Sequence, residues 1–258
     1  MAQSTPTLLA LDFDGVICDG LIEYFQTAWQ AYCRIWHPTH STPPDNLAPQ
    51  FYRLRPVVET GWEMPVVLRS LLLGVPEAEI LGNWGAIVQA QITQDGLTPA
   101  ELSAAVDGYR DEWIAADLEH WLSQHRFYPG VGDRLRAVLT SEIKIVIITT
   151  KEGRFVRQLL HQENIDLAES QIFGKEQRQP KAETLRQLLQ AEPQAQIWFI
   201  EDRLKTLQTI KTQPDLAAVR LFLADWGYNT RGDRDLAQHD DRIQLLSLEQ
   251  FSQNFTQW

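Results

Sequence analysis

The sequence predicts an α/β protein: a doubly wound parallel sheet with a helical module inserted after its first strand. Three observations carry this reading. Short, nearly continuous apolar runs recur along the chain, helical periodicity separates most of them, and the stretch after the first run holds helical patterns with no convincing strand.

The first run is Thr7-Leu8-Leu9-Ala10-Leu11, ending in Asp12-Phe13-Asp14-Gly15. That is the pattern of a buried parallel strand meeting polar chemistry at its C-terminal end. Ahead of it, Met1 to Thr7 reads as a short lead-in with neither a basic region nor a long apolar run. Next, Leu21 to Trp36 carries Leu21, Ile22, Phe25, Ala28, Trp29, Tyr32 and Ile35 in a wide stripe of 3.6-residue period. Pro38, Pro43, Pro44 and Pro49 make His37 to Pro49 a loop. Val66 to Leu73, Ala78 to Ile92 and Leu102 to Leu122 are further expected helices. Strand-like runs then return at Ile143 to Thr149, Gln171 to Phe173, Gln196 to Ile200 and Val219 to Leu223, with a weaker one at Ile243 to Leu246. Helical patterns at Val131 to Leu139, Phe155 to Gln162, Ala182 to Leu189 and Leu204 to Ile210 alternate with them, as βαβ units demand. The expected division is an α/β core of residues 1–16 and 127–258 with a helical cap over residues 17–126. Ligands of open α/β sheets bind at the carboxyl ends of the strands, so a module inserted there is expected to serve as a lid.

Composition narrows the partners. The chain has 258 residues, 44% of them apolar, and no run long enough to span a membrane. With 34 acidic against 23 basic residues the net charge is −11, which disfavours nucleic acid or an anionic membrane as the main partner. Only Cys18 and Cys33 are present, without metal-type spacing, so a reducing compartment such as the cytoplasm is expected.

Asp12 and Asp14 lie two apart at a strand end, where alternation points both carboxylates to one side. Like charges that close need a shared proton or a cation, which makes a divalent metal the natural third member. Gly15 lets the chain turn sharply beside them. An Asp-rich strand-to-loop turn reads an isolated motif of this kind equally well. The second strand ends in Thr149-Thr150-Lys151, bringing a hydroxyl and successive backbone N–H groups to the same sheet edge, where they suit a phosphate oxygen; a plain helix cap is the alternative. Glu201 and Asp202 end the fourth strand, and hard divalent cations favour such oxygen ligands. Lys181 opens a helix after Gln179-Pro180, where a fixed positive charge can face the acids, with Lys175 as a rival.

Taken together, DFDGV, IVIITT, QPKAETL and IWFIED form an ordered set that resembles the haloacid dehalogenase-like (HAD) superfamily. Phe127-Tyr128-Pro129-Gly130-Val131 resembles that family's return from a cap. Trp226-Gly227-Tyr228 resembles a turn of its phosphoglycolate-phosphatase and β-phosphoglucomutase branch. The resemblance implies a Rossmann-like core, Mg²⁺ as cofactor and a small phosphorylated metabolite as substrate. It implies Asp12 as the nucleophile forming an aspartyl-phosphate, Asp14 as general acid and then base, Thr149 as a phosphoryl hydrogen-bond donor and Lys181 as charge neutraliser. It further implies metal binding by Asp12, the backbone carbonyl of Asp14, and Asp202. The family's further acid, about four residues beyond Asp202, is here Thr206, so Glu201 is expected to serve in its place. Gly15 and Thr150 are expected substrate contacts beside Thr149. In the cap, Arg53 or Arg55 could hold a second anionic group; Arg55 is the candidate, set against solvated arginines on a helix start. Trp62 is a candidate pocket wall, His37 and His40 read as loop surface, and Cys18 as a small buried hydrophobe. Asp14 disfavours dehalogenation, because the family's dehalogenases lack that acid. A sugar-phosphate mutase using the same residues, and a non-catalytic binding protein, are the alternatives.

Overall fold

The computed structural model describes residues 5–258; the start of the expected lead-in, residues 1–4, lies outside them. The chain forms two compact units, one of Met1–Asp19 with Arg126–Trp258 and one of Gly20–His125.

The first unit is an α/β layer structure. Its strands are β1 (Leu8–Leu11), β2 (Cys18–Asp19), β3 (Arg126–Phe127), β4 (Lys144–Ile148), β5 (Ile172–Phe173), β6 (Ile197–Glu201), β7 (Arg220–Ala224) and β8 (Ile243–Leu246). Six of these make one parallel sheet in the order β5-β4-β1-β6-β7-β8. Every residue of β1 and β6 is buried, as expected where helices cover both faces of a parallel sheet. The chain leaves β1 toward β4 and β5, then crosses back to β6 and continues outward to β8. The order therefore reverses between β1 and β6, and the crevice at their carboxyl ends is where such sheets bind ligands. Leu11 pairs with Ile200 across this junction, so Asp12 and Glu201 follow side by side.

The helical unit consists of α1 (Leu21–Trp36), α2 (Leu47–Leu54), α3 (Met64–Leu72), α4 (Glu77–Asp95), α5 (Pro99–Ala116) and α6 (Leu118–Leu122). α1 buries Phe25, Ala28, Trp29 and Tyr32 from the apolar stripe read in the sequence. α5 starts with a reciprocal cap, in which Thr98 accepts from the Glu101 N–H and the Glu101 carboxylate accepts from the Thr98 N–H.

The remaining helices belong to the α/β unit: α7 (Val131–Leu139), α8 (Gly153–Gln162), α9 (Lys181–Ala191), α10 (Leu204–Lys211), α11 (Arg231–Gln238) and α12 (Leu248–Phe251). Leu185 of α9, Leu207 and Ile210 of α10 and Ala237 of α11 pack with Leu8, Ala10, Phe199 and Leu221 on one face of the sheet. Trp198, whose neighbour in the strand is Phe199, meets Phe222, Phe255 and Trp258 in an aromatic cluster with ring centroids 5.1–5.6 Å away.

Several expectations need correction. The region after the first strand is not free of strands: β2 and β3 pair antiparallel, Cys18 with Phe127 and Asp19 with Arg126. Two-residue strands this far apart leave no periodic signature. The expected loop His37 to Pro49 ends early, because α2 begins at Leu47 and carries Pro49 in its first turn, where no intrahelical N–H bond is lost. The expected helix Leu102 to Leu122 breaks at Asp117, which has non-helical backbone and accepts the His120 N–H to start α6. The fourth core strand is shifted by one residue from the expected Gln196 to Ile200, and Glu201 is its last residue.

Candidate active site

The carboxyl end of β1 delivers Asp12, buried, with its N–H donating to the Ile200 carbonyl of β6 at 2.9 Å. Its Oδ1 accepts from the Phe13 N–H at 2.7 Å and lies 2.8 Å from Lys181 Nζ. Lys181 is the first residue of α9 and follows Pro180, whose extended backbone sets the helix start. Its ammonium bridges two acids, reaching Glu201 Oε2 at 2.7 Å as well. Glu201 is fully buried, and its Oε1 accepts the N–H groups of Asp202 at 3.2 Å and Arg203 at 3.0 Å. Asp202 is also buried, with Oδ2 accepting the Tyr228 N–H at 2.8 Å. Oxygen atoms of Asp12, Glu201 and Asp202 all lie within 4.8 Å of one another. This donor set suits a hard divalent cation.

Electrostatics follow from burial. Loss of water pushes the Asp12 carboxyl up to about 7 against the opposing pull of Lys181, with Glu201 and Asp14 adding to the rise. Glu201 and Asp202 are pushed up for the same reason, each also repelled by a neighbouring acid. Burial alone would pull Lys181 down, but Asp12 and Glu201 hold it above the ordinary lysine range and therefore charged.

Asp14 is half-buried, and its Oδ1 lies 3.1 Å from Lys151 Nζ. That second cation was visible in the sequence only as the end of the Thr149-Thr150-Lys151 run; nothing in its spacing marked it as the partner of Asp14. Thr149 is buried at the end of β4, donates its N–H to the Phe173 carbonyl and accepts the Lys151 N–H on Oγ1. Thr150 is exposed. Lys175, the rival to Lys181, donates its backbone N–H to the Lys151 carbonyl and is exposed.

Gly15 corrects an expectation. Its N–H is directed at the Cys18 carbonyl, at 2.8 Å, so it is spent within the turn and not offered to a substrate. The residue has φ +86°, and a Cβ there would stand 2.1 Å from Asp202 Oδ2. Gly227 closes the other side, where a Cβ would meet Asp202 Cβ at 2.3 Å and the Gly15 carbonyl at 2.5 Å. Asp202 thus sits in a cradle of two glycine backbones. The turn noticed at Trp226-Gly227-Tyr228 supplies the rest: Trp226 Nε1 donates to the Val16 carbonyl, and the Tyr228 hydroxyl donates to Asp19 at 3.0 Å. Asn229, which no sequence signal singled out, ties the Asp202 and Ala224 carbonyls together through its amide. Cys18 is buried with its thiol pushed well above the ordinary range, as burial dictates.

Arg55 lies in the helical unit. Its guanidinium stacks 4.9 Å over the Tyr24 ring and donates to the Val58 carbonyl at 3.1 Å, so it already braces its own loop. Arg53 pairs with Glu77 at 2.7 Å, and Trp62 is half-buried. His37 takes a left-handed conformation that ends α1, and His40 is exposed.

No protein-family model matches the chain, and no curated protein matches it in sequence. Solved structures do match in three dimensions. A candidate phosphoglycolate phosphatase from Lactobacillus delbrueckii subsp. bulgaricus superimposes with TM-score 0.62 at 13% identity, over 96% of this chain and 98% of that one. A haloacid dehalogenase-like hydrolase from Streptococcus pneumoniae gives 0.54 at 18% identity, over 95% of each chain. Protein tyrosine kinase A from Mycobacterium tuberculosis gives 0.54 at 14% identity, over 95% of this chain and 96% of that one. Two of these three are described as phosphatase or hydrolase and one as a kinase, so the likeness speaks to architecture and the chemistry must come from the site. The chain has the haloacid dehalogenase-like fold.

Proposed function

We propose that this protein is a Mg²⁺-dependent phosphatase that hydrolyses a small phosphorylated metabolite through an aspartyl-phosphate on Asp12. The observation that carries the reading is the charge balance of the crevice. Four carboxylates, Asp12, Asp14, Glu201 and Asp202, face two ammonium groups, Lys151 and Lys181. Even with the Arg203 guanidinium beside Asp202, the ionised set carries net negative charge, which a divalent cation would offset. Asp12 and Asp202 would hold it, with the Asp14 carbonyl; when bound, it would offset charge on the phosphoryl oxygens.

Asp12 attacks phosphorus while the bond to the leaving oxygen breaks and Asp14 gives that oxygen a proton. Asp14 then takes a proton from water as the water attacks phosphorus, the Asp12–phosphorus bond breaks and inorganic phosphate leaves. Lys181 keeps Asp12 oriented and offsets its charge, and the Thr149 hydroxyl would hydrogen-bond the transferring group. Positioning and charge compensation of this kind carry most phosphoryl-transfer catalysis. Two free thiols, one buried, fit a reducing cytoplasm, and among the described residues no helix is long and apolar enough to cross a membrane.

The test is phosphate release from a panel of phosphoglycolate, sugar monophosphates and nucleotides, with and without Mg²⁺, using D12N as the blank. Metal-dependent release absent from D12N is expected. A folded wild-type protein that releases phosphate from none of them overturns the reading.

A further inference from the structure

We propose that Glu201 is a positioning residue and not a metal ligand: it fixes Lys181 and the Asp202–Arg203 backbone, and leaves the cation to Asp12 and Asp202. The proposal deepens the metal-dependent reading above and rests on it.

Proximity alone would count Glu201 among the ligands, since its oxygens lie within 4.8 Å of those of Asp12 and Asp202. Its hydrogen bonds argue otherwise. Oε1 accepts two backbone N–H groups, from Asp202 and Arg203, which uses both of its lone pairs. Oε2 accepts from the Lys181 ammonium at 2.7 Å. A cation bound to that oxygen would stand directly beside a buried, charged lysine, where mutual repulsion is poorly screened. Nor can Glu201 turn away, because it lies within β6, fully buried, with Asp12 alongside. Asp202 differs on each count. Its Oδ2 accepts the Tyr228 N–H, it is cradled by Gly15 and Gly227, and the cation beside it is the Arg203 guanidinium and not a lysine.

Lys181 is shared between Asp12, at 2.8 Å, and Glu201, at 2.7 Å, while Lys151 pairs with Asp14. Glu201 therefore acts at one remove: it holds the ammonium that holds Asp12.

The test measures Mn²⁺ binding to the metal-free full chain by electron paramagnetic resonance, for wild type, D202N and E201Q. D202N is expected to weaken binding at least tenfold and E201Q less than threefold. Steady-state kinetics should show E201Q lowering kcat with KM little changed. K181Q should conceal that loss, so that E201Q/K181Q is no slower than K181Q alone, a coupling that loss of a ligand would not produce. E201Q weakening Mn²⁺ as strongly as D202N overturns the proposal. Should E201Q fail to fold, a crystal of the wild-type protein with Mn²⁺ decides: Glu201 oxygens beyond about 3 Å from the ion support it, and a bond of about 2.0–2.6 Å overturns it. Wild-type protein that binds no Mn²⁺ overturns the metal-dependent reading, and this proposal with it.

Discussion

Two buried charge clusters, one in each unit, use the same residue types to opposite ends. In the helical unit Glu23 is fully buried on α1. Its Oε1 accepts from Thr27 at 2.7 Å, Arg110 Nε at 2.7 Å and Trp121 Nε1 at 3.2 Å, and its Oε2 accepts from Arg110 at 3.2 Å. One buried carboxylate meets one guanidinium, which also lies 3.7 Å from the exposed Asp107, and Glu23 foremost holds the Arg110 pKa above its ordinary range despite burial. This cluster is balanced, and it pins α1 to α5 and α6. The crevice of the α/β unit is not balanced, since its acids outnumber its lysines by two and Asp12 is pushed up to about 7. A closed charge account marks a structural joint, and an open one marks a place kept ready for a charged visitor.

Three substitutions break or sharpen that contrast. The largest effect is expected from D12N, which should lower kcat for phosphate release by at least ~10³-fold, about 4 kcal/mol of transition-state stabilisation; a smaller loss would remove Asp12 from the nucleophile's role. Next, R110M removes the guanidinium while Glu23 stays buried against Thr27 and Trp121, and should cost about 3–5 kcal/mol in chemical denaturation, because a buried charge stripped of its counter-charge is expensive.

D12N should have the opposite effect on stability. The folded protein binds the Asp12 proton up to about 7 and the unfolded chain only to about 3.8, so this group's contribution is full below the unfolded value and lost as pH rises through the folded one. Metal-free D12N should therefore melt about 3–8 °C above wild type at pH 8, on the order of 1–3 kcal/mol, with a smaller gain at pH 5. Scanning calorimetry in a chelator reads both values, and equal gains at the two pH values would contradict the assignment. The smallest effect is expected at Arg34–Glu112, an exposed pair at 2.5 Å in the helical unit. R34A should change stability by less than about 1 kcal/mol, since water already solvates both groups.

How much of this was legible in the sequence depends on how each feature is encoded. The sheet was legible because buried parallel strands such as Leu8–Leu11 and Ile197–Glu201 are nearly all apolar. α1 was legible at both ends because its stripe is unbroken and His37 stops it. The site acids and Lys181 stood at strand ends and a helix start, where position in the chain fixes position in space. Lys151, Tyr228 and Asn229 act through contacts between elements, and no local pattern records which carboxylate or carbonyl a side chain will meet. Gly15 was noticed for the turn, but that its N–H goes to the Cys18 carbonyl is settled only once the chain is folded. The break at Asp117 was missed because the apolar pattern continues through it while the backbone does not.

The sheet's order also sets a schedule for the growing chain. β1 comes first of the six sheet strands along the chain, yet it lies between β4 and β6, and its last partner ends at Glu201. The helical unit is one continuous segment, Gly20–His125, and can pack as soon as it has emerged. β1 has no such local partner. At about 5–20 residues per second, roughly 190 further residues must be added before both of its edges are covered, a wait of about 10–40 s. Through that interval the four consecutive apolar residues of β1 keep at least one edge open, and the helical unit, folding early, shortens the loop that must close to bring β4 beside them.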